Sequence, residues 1–163
     1  MLNKKLIGKN FTFLYRVADM LCLRIGETII IDSHKGGKVE SPEYRIHFQC
    51  QWRFVKAGKI LLASHDIYNP HDNNLEDDDN WDWDVSGRPR EQSSVFDVRS
   101  EEFINEFLPL KIEAAYFTDT SDLHISFGKG VYFDTFITCS TKHEYYRLLD
   151  FHTGEHTVIF DVD

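Results

Sequence analysis

The run from Tyr44 to Phe54 constrains the fold more than any other stretch of this chain. Its even positions are Tyr44, Ile46, Phe48, Cys50, Trp52 and Phe54; its odd positions are Arg45, His47, Gln49, Gln51 and Arg53. Side chains on a strand alternate between two faces with a period of two, whereas a helix would scatter these rings around its circumference. The segment therefore reads as one strand, with an apolar face turned to a core and a polar face turned away. Lys56-Ala57-Gly58-Lys59 supplies a short glycine-bearing turn, and Ile60 to Ala63 reads as the returning strand of an antiparallel hairpin.

The same pattern recurs. Residues 111–127 read as a second hairpin around Thr118 to Asp122, and Gly128-Lys129-Gly130 turns the chain into VYFDTFIT. YYRLLDF and HTVIFDV form a last pair around His152 to Glu155, and Met20 to Ile25 and Thr28 to Ile31 read as two strands separated at Gly26. One helix is expected: Ser100 suits an N-cap, Glu101 and Glu102 suit the positive end of the dipole, Phe103, Ile104, Phe107 and Leu108 form a stripe, and Pro109 ends it. Thr141 to Glu144 fits a capping box and a short helical turn. His34 to Pro42 and Asn69 to Ser94 read as loops, the second longer than most connections. The expected class is α+β and β-dominated: antiparallel sheet or sheets of hairpins forming a sandwich or partly closed barrel, with one short helix near 100–108. No repeat or composition shift divides residues 1–163 into more than one domain.

A chain of 163 residues with 13 Phe can fill a core with rings and needs no disulfide or metal to fold. No apolar run is long enough to cross a bilayer, and Lys9, Asn10 and Arg16 interrupt any secretory signal at the start. Cys22, Cys50 and Cys139 are scattered and odd in number, which favours reduced thiols and a cytoplasmic protein. The formal net charge of −9 is concentrated locally. His71 to Asp84 holds 7 of the 27 acidic residues and no Lys or Arg; without it, 20 acidic residues face 18 basic ones. Such a chain repels phosphate backbones, so nucleic acid is not an expected partner, nor is a membrane.

Four sets of residues are candidates for function. Asp78, Asn80, Asp82 and Asp84 have the oxygen-ligand spacing of a calcium loop, but Trp83 sits where the sharp turn needs Gly and Pro89 where the bidentate Glu belongs. The plainer expectation is a solvated, self-repelling run. Trp81 and Trp83, inside that run, either dock the loop onto the body of the domain or anchor a partner, since Trp is enriched at interface hot spots. Arg45, His47, Gln49 and Arg53 share the polar face of the 44–54 strand and, with Asp66, would form a binding surface if that face lines a concavity; an ordinary solvated outer face is the alternative. His47 and Cys50, three apart on a strand, face opposite ways and make no zinc pair. His143, His152 and His156 cluster near the C-terminus without the thiolate or carboxylate pair that a metal site would want. There is no G-x-S-x-G, phosphate-binding glycine loop or H-E-x-x-H, and no cofactor is expected.

LIGKNFTFLYRVADMLCLRIGE, YRIHFQCQWRFV with the downstream SHDIYNP, and EYYRLLDFHTGEHTVIF together resemble a group of small bacterial proteins of unknown function. Gly8, Arg16, Asp19, Met20, Gly26, His47, Gln49, Cys50, Trp52 and Arg53 stand out in that likeness. So do Asp66, Tyr68, Pro70, Glu144, Arg147 and His156, with Tyr146 where a Trp is expected. The resemblance implies a cytoplasmic bacterial protein and supplies no catalytic residues. The functional expectation is a non-enzymatic protein-binding module, immunity- or antitoxin-like, that covers a basic protein partner with its acidic loop. The alternatives are a small-molecule or enzymatic site on the polar face of the 44–55 strand, and a calcium-binding acidic loop.

Overall fold

The computed structural model describes residues 2–85, 87–141 and 143–160. Ten strands carry the fold: β1 Asn10–Val17, β2 Met20–Asp32, β3 Lys38–Phe48, β4 Gln51–Lys56, β5 Lys59–Ala63, β6 Leu110–Phe117, β7 Leu123–Phe127, β8 Val131–Phe136, β9 Glu144–Asp150 and β10 Glu155–Phe160. They make one sheet in the order β10-β9-β3-β2-β1-β6-β7-β8-β4-β5, and every pairing is antiparallel. The sheet coils so that its two halves face each other across a single ring-rich core. Phe11 of β1 stacks on Phe54 of β4 at 5.8 Å, and Phe48 of β3 meets Phe133 of β8 at 4.9 Å. A short helix α1 (Leu2–Leu6) precedes the sheet, and α2 (Val95–Phe107) presses Phe103 against Phe54 at 4.8 Å and Phe96 against Trp52 at 5.9 Å.

The alternation that defined the 44–54 run holds, but the run is two strands. Tyr44, Ile46, Phe48, Trp52 and Phe54 are buried, and Arg45, His47, Gln49, Gln51 and Arg53 face outward or partly so. β3 pairs with β2 and β9, whereas β4 pairs with β8 and β5. The chain turns a corner at Gln49 and Cys50, passing from one half of the coiled sheet to the other without losing its inside–outside phase.

Other boundaries also move. Gly26 does not separate two strands; β2 runs through it with a bulge between Ile25 and Thr28. This bulge places a residue at positive φ, and Gly26 has +89°. A Cβ there would collide with the Glu43 carboxylate, so the missing side chain also makes room for that group. Lys38 to Pro42, read as loop, is the first half of β3, because the opposing end of β2 extends far enough to pair with it. β1 carries no clean alternation and was not expected. The helix begins well before Ser100: Ser94 is the N-cap, accepting from Asp97 N at 3.2 Å, and Ser100 lies inside with its hydroxyl on Asp97 O. No helical turn follows Thr141 among the described residues; Lys142 lies outside them, and Glu144 opens β9. The expected hairpins around 57–58, 118–122 and 152–155 are present.

An ionic plug gathers on Glu43 of β3, beside the Gly26 bulge. Glu43 is buried and accepts from Lys9 Nζ at 2.7 and 2.9 Å and from Glu27 N at 3.0 Å, with His152 Nε2 at 3.0 Å. Burial alone would raise the carboxyl pKa, but these bonds, led by Lys9, hold it at about 2. Lys5 and Asp150 pair beside it at 2.7 Å.

Candidate binding groove beneath the acidic loop

Among the described residues, 69–94 contain neither a sheet strand nor an α-helix, yet they are tied down at many points. At the loop's base, Pro70 bridges Ser94, His71 N donates to Ser93 O at 2.8 Å, and Val95 N donates to Asn69 O at 2.8 Å. Within it the acidic side chains fold the backbone locally. Asp72, Asp78 and Asp82 each accept from the N–H two residues on, at 2.9 to 3.0 Å.

Both tryptophans are half-buried and docked. The Trp81 indole donates to Gln92 O at 2.9 Å with the Arg88 guanidinium 5.9 Å over its ring. Trp83 packs edge-on to Tyr68 at 5.0 Å, and Tyr68 in turn donates to Asp19 at 3.0 Å. Arg16 of β1 is the clamp: it holds Asp97 of α2 through two bonds of 2.8 and 3.0 Å and the Trp83 carbonyl at 2.9 Å. Burial would push the Asp97 carboxyl up, but Arg16 holds it below its ordinary value. One guanidinium therefore joins strand, helix and loop.

This anchoring presents charge outward. Glu76, Asp77, Asp78, Asp79, Asp82 and Asp84 are exposed, and among the described residues none of them is in an ion pair. Beneath the loop lies a groove of about 850 Å³ between β1 and α2. Phe13, Val17 and Val85 line it while remaining 40%, 54% and 43% exposed, and Asp84, Asp97 and Glu101 sit at its rim. Arg16 and Arg88 line it as well, Asp97 is held by Arg16, and Glu101 meets Arg90 at 3.3 Å.

The residues of the polar 44–54 face are not brought to one place. Gln49 and Gln51 line a polar cleft of about 720 Å³ at the strand corner, with Asp19, His65, Tyr68 and His143. Cys50 reaches the same cleft, but burial pushes its thiol up to about 12, which leaves it un-ionised and a poor nucleophile. Arg53 lies on β4 with its guanidinium 4.7 Å over Phe136, and Asp66 spends its carboxylate on Ala63 N at 2.8 Å. Arg45 and His47 are on the outer face of β3, where Arg45 lies between Tyr15 and Phe151 at 6.0 and 5.2 Å. Burial, with Arg45 and Arg147, lowers the pKa of His47 and keeps the ring neutral. The late histidines also part company, since His152 turns to Glu43 while His156 faces solvent on β10. Among the described residues no group of three or more His, Cys, Asp or Glu is placed to hold a metal ion, and no helix is long and apolar enough to cross a membrane.

A relay that sequence reading missed lies on the outer face of β7 and β8. His124 Nδ1 is 2.6 Å from Asp134 and its Nε2 is 2.9 Å from Ser126 Oγ, with the Tyr116 and Tyr132 rings beside it. His-x-Ser on one strand, opposite Asp in the neighbouring register, is the signal that would have found it. Its connectivity is that of a nucleophile and base, on a strand paired on both sides.

No family model, curated protein or solved structure matches the chain, so its function is read from its own geometry.

Proposed function

We propose that this chain is a protein-binding module of the immunity or antitoxin kind, which covers a basic partner with its acidic loop and the groove beneath it. The observation that carries the reading is the docked loop. Trp81, Trp83 and Arg16 fix it in place, yet among the described residues its exposed carboxylates from Glu76 to Asp84 enter no ion pair. Crowding like charges on an ordered loop costs stability, and a cationic partner offsets that cost while the acidic field speeds encounter. The test is co-purification with the intact chain and with a chain lacking residues 71–84, followed by a direct titration of the purified partner. The reading expects a basic protein whose binding weakens steeply with salt and is lost with the loop. Equal binding by both chains overturns it.

A second reading, a small polar ligand, is favoured by the 720 Å³ cleft at the strand corner, where Gln49, Gln51 and His65 converge. It predicts a ligand-induced rise in melting temperature that Gln49→Ala removes; an unchanged response in that variant counts against it.

A further inference from the structure

We infer that Ser126 is a nucleophile, activated by His124 and oriented through Asp134, that takes an acyl group from activated esters on the outer face of β7 and β8. β7 buries Leu123, Ile125 and Phe127 and turns His124 and Ser126 outward; β8 buries Val131, Phe133 and Thr135 and turns Tyr132 and Asp134 outward. The two strands pair His124 with Asp134 and Ser126 with Tyr132. Side chains directly opposite in such a ladder stand on one face, close enough to interact. Both strands lie inside the sheet, between β6 and β4, with their inner side chains fixed in the ring-rich core. A site carried on such strands holds its geometry better than one on a loop.

The role of each atom follows from its neighbours. A carboxylate only accepts, so the 2.6 Å contact with Asp134 places the ring proton on His124 Nδ1. Nε2 of the neutral ring is then an acceptor, and at 2.9 Å it takes the bond from the Ser126 hydroxyl. Nucleophile, base and orienting carboxylate thus stand in the order that acyl transfer requires. Arg53 is the neighbour of Asp134 on β4, but its guanidinium lies over Phe136 and pairs with no carboxylate among the described residues. Asp134 is therefore left to the imidazole. Tyr116 and Tyr132 place rings 4.9 and 5.7 Å from that imidazole and restrain it. The His124 and Asp134 side chains are each 22% exposed, so the relay is packed yet open to a substrate.

Ser126 Oγ attacks the acyl carbon as its proton passes to His124 Nε2, and Asp134 stabilises the imidazolium that forms. The ester C–O bond breaks and Nε2 returns the proton to the departing oxygen, leaving the acyl group on Ser126. Water then gives a proton to Nε2 and attacks the acyl carbon; Ser126 takes that proton back as the acid is released. The donors nearest in register for the oxyanion are phenols: Tyr132 directly across from Ser126, and Tyr116 across from His124. Neither hydroxyl has a hydrogen-bond partner among the described residues. Phenols on a solvated face stabilise an oxyanion less than donors fixed in a dry, enclosed site. The matching substrate is therefore an ester with a good leaving group, such as an aryl ester, whose ring can lie against Tyr116 and Tyr132.

The test uses the full chain with Cys139→Ser, which removes an exposed thiol that would itself react with aryl esters. A fluorophosphonate probe, whose phosphorus bonds to Ser126 Oγ with loss of fluoride, is mapped by mass spectrometry of the digested chain. Turnover is read as release of p-nitrophenol from p-nitrophenyl acetate. A single label on the peptide carrying Ser126 is expected in the native chain and not in chain unfolded by urea. Ser126→Ala should abolish labelling, and His124→Gln should slow labelling and turnover about 100-fold. Asp134→Asn should lower kcat with KM unchanged, as loss of a positioning residue does and loss of the fold does not. No label on the native chain, equal labelling of native and unfolded chain, or a label elsewhere overturns the assignment, and this mapping decides it even where a variant fails to fold. Acyl uptake that survives Ser126→Ala would put the group on His124 itself and overturn it too, as would an unchanged rate in His124→Gln. The acidic-loop reading is untouched by these outcomes, because relay and loop lie on different elements.

Discussion

Replacing Glu43 by Gln probes the ionic plug beside the Gly26 bulge. The carboxylate has an ordinary pKa of 4.5 and is held at about 2 in the folded chain. At about 1.36 kcal/mol per pH unit that difference corresponds to roughly 3 kcal/mol, and partial solvent screening around Lys9 brings the working figure to about 2 kcal/mol. An amide retains the bond from Glu27 N but gives up the charge that Lys9 meets at 2.7 Å. For a chain of this length the expected loss is about 4–8 °C in melting temperature near neutral pH. The pH dependence has a definite sign. A carboxyl whose folded pKa is depressed contributes its full stability above the unfolded value of 4.5 and loses it as pH falls through about 2. The gap between wild type and Glu43→Gln, followed by urea denaturation, should therefore be constant above about pH 5 and close progressively below it. Equal stability at neutral pH, or a gap that persists unchanged at the acid end, would show that the plug does not stabilise the fold through this charge.

Three further outcomes are expected. Trp52 buries its indole N–H without a partner among Phe54, Phe96 and Phe133, so Trp52→Phe should cost under about 1 kcal/mol in denaturant unfolding, whereas Trp52→Ala should cost about 3–5 kcal/mol. Arg16→Ala severs the link between β1, α2 and the loop, and should raise amide exchange and acrylamide quenching of the loop tryptophans while leaving exchange in β3 and β8 slow. Ser94→Ala removes the true N-cap of α2 and should cost about 1 kcal/mol by chemical denaturation, more than an equivalent loss of an internal hydroxyl on an exposed helix face.

Much of the architecture was legible because it is written in a two-residue period. The inward rings of β3 and β4, the turn at Ala57 and Gly58, and the hairpins after Thr118 and around Gly154 all follow from local alternation and turn chemistry. The corner at Gln49 and Cys50 was not legible, because a chain that bends between sheet halves can keep its alternation throughout. Gly26 misled for the opposite reason: a glycine signals positive φ, but only the register of β2 against β3 distinguishes a bulge from a turn. The helix start was misplaced because Ser94 and Ser100 both precede acidic residues, and the packing of Phe96 on Trp52, invisible in sequence, selects the earlier one.

The acidic loop could be found from composition, but its anchoring could not. Arg16 lies 67 positions upstream of Trp83, and only the fold brings its guanidinium to that carbonyl. The short pairing of β1 with β6 and the His124–Asp134–Ser126 relay depend wholly on which strands become neighbours. Long-range pairing decides them.

Recognition by the acidic loop can be read in a fluorescence titration of the intact chain with the co-purified basic partner, set beside a variant in which Asp77, Asp78, Asp79, Asp82 and Asp84 are all Asn. Trp81 and Trp83 sit half-buried at the loop and report on its surroundings, while Trp52 is buried in the core. The intact chain should show a saturable change in emission that weakens with salt, and the Asn variant should show none. Identical titrations of the two chains would rule that recognition out.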